Sequence, residues 1–85
     1  MPEHHNLTGE TDVLSMAHCA IRYCLGRSSY AVIEGAQWAL RYGKQDAQLR
    51  IQLCREIEEE LLRPSMMEMD AQIWRDTLHQ LRRMF

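Results

Sequence analysis

The sequence predicts an all-α fold, a compact bundle of about four short helices. Three observations carry this expectation. Apolar residues recur at three- and four-residue steps through four separate stretches, the period of an amphipathic helix. Glycine, serine, aspartate and proline divide those stretches at spacings suited to helix ends. No segment alternates apolar and polar residues for long enough to make a strand.

At 85 residues the chain is one small domain with one modest core. Residues 1–10, MPEHHNLTGE, are polar and aperiodic, and are expected to form a flexible, disordered arm ahead of a single helical domain over 11–85. The first helix is expected to start with Thr11 as N-cap and Asp12 in the first turn, where a carboxylate suits the helix dipole. Leu14, Ala17, Ile21, Cys24 and Leu25 then follow as one buried stripe. Gly26 is placed to end it, because the left-handed conformation of a helix terminus costs glycine little.

Ser28 or Ser29 can cap the second helix. Tyr30, Ile33, Ala36, Leu40 and Gly43 lie along one side of it, and Ala31, Gly35, Trp38 and Tyr42 form a second apolar stripe. A helix apolar on two sides must be covered on two sides, so this one is either central or carries an interface. Gly43 is the expected terminator, with Asp46 as the next cap. The third helix repeats Leu49, Leu53, Ile57 and Leu61, with Cys54 beside them and glutamates mostly opposite, and Pro64 closes it at or just after Leu62. Asp70 is then expected to cap a final helix carrying Ile73, Trp74, Thr77, Leu78 and Leu81, completed by Arg82 and Arg83 at its C-terminal end.

Composition narrows the function. The chain is 46% hydrophobic and 26% charged, a globular balance, while 7% aromatic residues and six methionines imply an adaptable aliphatic core. A formal charge of −2 argues against sequence-independent nucleic-acid binding, which needs a basic face. No stretch approaches about 18 continuous apolar residues, so no membrane span is expected. Three cysteines in apolar periodic segments, with no signal-like N-terminus, point to buried thiols in a reducing, cytoplasmic setting.

No residue set identifies a reaction. LGRSSY places Arg27 beside two hydroxyls at a helix start, an arrangement that can hold an anion, but the glycine patterns of nucleotide sites follow a strand and none is present. Glycine then serine is also ordinary punctuation between helices, and the stretch is read as a corner. Cys19, Cys24, His18 and His79 lack the short paired spacing of a structural zinc site. A cysteine–histidine nucleophile pair or a Glu34 acid–base pair would need partners that the sequence does not supply, and Glu34 is expected to pair with an arginine such as Arg22 or Arg41. The chain is therefore read as a non-enzyme without cofactor or metal.

Two surfaces remain as candidates for binding. Glu56, Glu59 and Glu60 can project together as a negative patch, which is either a phosphate-mimicking surface or a solvated face supported by Arg55 and Arg63. Trp38 and Tyr42 share a helix face and are either core residues or interface anchors, for a second copy or for a different partner. Tyr23, Arg27 and Tyr30 gather at the corner and are the next residues to watch.

The stretches AIRYCLGRSSYAVIEGAQWALRY, IQLCREIEEEL and DAQIWRDTL resemble a family of small helical proteins encoded by phages and prophages, over residues from about 17 to 78. The shared elements here are Ile21-Arg22-Tyr23, Leu25-Gly26-Arg27, Ser29 through Val32, Trp38, Arg55 with Glu56 and Glu58, and Asp70 with Trp74. The resemblance implies a phage-derived accessory protein in the host cytoplasm. By size and type it implies an anti-CRISPR-like inhibitor that binds a host protein complex, a CRISPR effector being one such complex. On that reading the acidic patch or the Trp38–Tyr42 face makes the contact, and nucleic acid is not a direct partner. The alternatives are a small nucleic-acid-binding regulator, using Arg22, Arg27, Arg41, Arg82 and Arg83 on a basic side, and a self-associating phage structural or assembly component.

Overall fold

The computed structural model describes residues 9–27 and 30–85, with side chains from Val13 onward. Four helices follow in order: α1 (Gly9–Leu25), α2 (Tyr30–Gln45), α3 (Ala47–Leu61) and α4 (Glu68–Arg83). Among the described residues there is no strand, and no helix is long and apolar enough to cross a membrane. The all-α bundle is therefore the observed fold.

α2 is the central helix, packed against the other three, while α3 also touches α1 and α4. Ile21, Val32, Ala39, Leu53, Ile57, Trp74 and Leu81 are fully buried at the centre. The stripes expected on α1, α3 and α4 face this core. On α2 the buried face instead runs through Val32, Gly35, Ala36, Ala39 and Gly43. Tyr30 and Ile33, expected on the buried side, are exposed. The reason is that α2 is enclosed largely through its small residues: glycines and alanines let three neighbours approach, and Tyr30, Ile33 and Trp38 turn outward.

Three expected boundaries move. α1 begins at Gly9, so Thr11 lies within the helix, as acidic residues at 10 and 12 favour an earlier start. The rest of the expected arm, and the caps assigned to Ser28 or Ser29, lie outside the described residues. Gly26 does end α1, with the Arg27 N–H donating to the Cys24 carbonyl at 3.0 Å, but without entering left-handed backbone. Gly43 does not end α2. It lies buried inside the helix, and Arg50 Nη1 donates to its carbonyl at 2.9 Å, satisfying one of the terminal acceptors. Asp70 is not the cap of α4 but a buried first-turn residue, while Met67 occupies the N-cap without a side-chain bond. Glu68 and Asp70 together give that turn the negative charge its dipole favours.

Asp46 is the cap that holds as expected. Its backbone is extended, and its carboxylate accepts the Leu49 N–H at 2.8 Å. This bond fixes the sharp α2–α3 turn with a single residue between the helices.

Candidate protein-binding face

The closeness of α1 and α2 creates the most distinctive surface. A Cβ at Gly35 would lie 2.6 Å from the Cβ of Cys24, so only glycine permits this approach. Outside the seam, α1 presents Val13, Met16, Ala17 and Ala20, which face Trp38 and Tyr42 of α2 across a groove of about 290 Å³. The groove exists because Ala17 and Ala20 are too short to fill the space between the larger side chains. All six lining residues are apolar or aromatic. Met16 is 64% exposed and Trp38 37%, whereas Tyr42 is half-buried with the Arg41 guanidinium 5.6 Å from its ring centroid. Tyr42 packs partly against the core and Trp38 does not, and together they form one wall of an open apolar groove.

The acidic face is chemically different from its sequence. His18 Nε2 of α1 lies 2.9 Å and 3.0 Å from the two carboxylate oxygens of Glu56 on α3. A carboxylate only accepts, so His18 Nε2 is the donor. The Arg22 Nε atom stands 4.0 Å from the same carboxylate, and Glu60 pairs with Arg63 at 3.5 Å. Glu58 on the neighbouring strip pairs with Arg82. Of Glu56, Glu59 and Glu60, Glu59 alone makes no ion pair among the described residues. The patch is largely neutralised within the molecule and presents little surplus charge to a basic partner.

At the corner, Arg27 stacks over the Tyr23 ring at 4.3 Å, and Tyr30 is 84% exposed. The adjoining cleft of about 340 Å³ is lined by Arg27 and Arg63 together with Glu60 and Asp70. That balanced charge set is poorly suited to a phosphate. Four of the five arginines proposed for a basic side go to separate partners, Arg22 to Glu56, Arg27 to Tyr23, Arg41 to Tyr42 and Arg82 to Glu58, while Arg83 makes no salt bridge among the described residues. Glu34 makes no salt bridge with Arg22 or Arg41.

The thiols are not all buried, contrary to the sequence expectation: Cys19 is exposed, Cys54 intermediate and Cys24 buried. An α1 residue beside the helix's second stripe faces solvent even though its neighbours are apolar. Burial, and secondarily the Glu34 charge, push the Cys24 thiol up from its ordinary pKa. Burial also raises that of Cys54, partly countered by Arg82 and Arg50. Among the described residues no three histidine, cysteine, aspartate or glutamate side chains assemble as a metal-binding group.

No family model, curated protein or solved structure matches this chain. Function must be argued from its own surface.

Val13, Met16 and Ala20 were not singled out in the sequence, although their spacing beside Ala17 is a second helical stripe on α1. The signal was there, but it marks a functional face only once α2 sets Trp38 beside it. The His18–Glu56 pair, 38 positions apart, left no sequence signal at all.

Proposed function

We propose that this chain is a non-catalytic protein-binding module that docks onto another protein through the α1–α2 face. The observation that carries the reading is the open groove of Val13, Met16, Ala17, Ala20, Trp38 and Tyr42. A buried groove would be core; an exposed one with a tryptophan and a methionine at its rim has the composition of an interface anchor. The resemblance to small phage proteins directs the choice of partner to a host defence complex, which the chain would inhibit by occupying a nucleic-acid-binding or assembly surface. The ion pairs of Glu56 with Arg22 and of Glu60 with Arg63 favour an apolar contact over phosphate mimicry.

The test is capture from a lysate of a bacterial host, with mass spectrometry of what binds, followed by target-DNA binding by the purified complex in the presence of the chain. The expected result is a stoichiometric defence-complex subunit whose DNA binding falls when the chain is added. Met16→Glu and Trp38→Arg should abolish capture, while Glu59→Arg should not. Recovery of nucleic acid, or capture that depends on Glu59 and ignores Met16 and Trp38, would overturn the reading.

A further inference from the structure

We propose that the α1–α2 face pairs with a second copy of this chain, the two α2 helices lying antiparallel about a twofold axis that passes beside Trp38. The inference rests on the reading of this face as a protein-binding surface and names its occupant in the isolated protein. Exposed large apolar side chains on this face are Val13, Met16 and Tyr23 on α1 and Trp38 on α2. Such an apolar face requires cover, and its charges indicate of what kind.

Two ions flank Trp38 on the exposed side of α2, Glu34 on one side and Arg41 on the other. Among the described residues neither forms a salt bridge. They are seven residues apart, about 10.5 Å along the helix axis and on nearly the same face, so they cannot pair with each other. In an antiparallel copy whose axis passes between positions 37 and 38, Glu34 stands opposite the Arg41 of the second chain, and Arg41 opposite its Glu34. Gln37 and Trp38 then meet across the axis. One contact satisfies both charges twice, the signature of an isologous interface. A partner recognised by a surplus of one sign, such as nucleic acid, would leave one of the two ions opposed. Arg41 is already held beside the groove by its stacking on Tyr42.

The experiment is sedimentation equilibrium on the full chain and on Glu34→Arg, Arg41→Glu and the double variant, with circular dichroism confirming that each is folded. Both residues are exposed, so the fold should tolerate the changes. The wild type should approach twice the 10.0 kDa chain mass as concentration rises. Each single reversal sets like charges opposite one another twice and should weaken the dimer by about tenfold or more, while the double variant recovers it. A chain that stays monomeric at millimolar concentration, or a double variant no better than the singles, would overturn the proposal. A monomer whose capture of a host protein still depends on Met16 would end self-pairing alone. A charge-rescued dimer that captures no host protein would uphold self-pairing and end the inhibitor reading.

Discussion

Gly35 of α2 stands so close to Cys24 of α1 that a Cβ added at position 35 would lie 2.6 Å from the cysteine Cβ and 3.1 Å from the Trp74 ring. The first of these atoms is fixed to the α1 backbone, so the helices themselves must move to admit a methyl group. Gly43, two turns on, is also tight, but its Cβ would meet Leu81 Cδ2 at 2.7 Å, the far end of a flexible side chain. Gly35→Ala should therefore destabilise the fold by about 1–3 kcal/mol, the usual cost of overpacking. Gly43→Ala should cost distinctly less, because Leu81 can turn aside and alanine gains about 1 kcal/mol in helix propensity. Urea denaturation of the two variants checks the contrast, and equal losses would contradict it.

His18 and Glu56 tie α1 to α3 through a partly buried hydrogen bond. A double-mutant cycle with His18→Ala and Glu56→Ala should give a coupling of about 0.5–1.5 kcal/mol near neutral pH. A coupling indistinguishable from zero would mean the pair does not hold the helices together.

Asp46 caps α3 with one bond and nothing else, so its removal isolates the value of the cap. Asp46→Ala should lower stability by about 1 kcal/mol, and Asp46→Asn should retain most of it. Thermal unfolding followed by circular dichroism distinguishes the two variants; identical losses would assign the effect to charge instead of capping.

The thiols should separate by reactivity. Cys19 is exposed and should alkylate in the folded protein, whereas Cys24 should react only on unfolding. The folded-state pKa of Cys24 lies above its ordinary 9.0, so burial favours the neutral thiol. That contribution to stability is complete below pH 9.0 and is lost as pH rises through the raised folded-state value. Wild-type stability should accordingly fall in the alkaline range more steeply than that of Cys24→Ala. Parallel pH profiles, or rapid alkylation of Cys24 in the folded chain, would contradict the assignment.

The elements of the fold were legible wherever a helix buries one stripe of large side chains. Leu49, Leu53 and Ile57 on α3, and Trp74, Leu78 and Leu81 on α4, face the core as their spacing predicts. The ends were less legible. Gly43 and Asp70 are residue types that stop or start helices, yet both sit inside one, because packing against Leu81 and the charge of the first turn outweigh the local preference. Half of the candidate face was legible as well: Trp38 and Tyr42 stood out as a second stripe, but Val13 and Met16 did not, since an outer stripe on α1 means little until a neighbour lies alongside.

By itself the sequence determined four amphipathic helices, the stripe each of three would bury, and the capping role of Asp46. These follow from periodicity and from bonds within a few residues, which the chain carries wherever it goes. Only the tertiary structure decided that α2 is enclosed through its glycines and alanines, that His18 hydrogen-bonds Glu56, and that Trp38 and Tyr42 wall an open groove. Each of these depends on which helix lies against which, and on how near a missing Cβ lets them come.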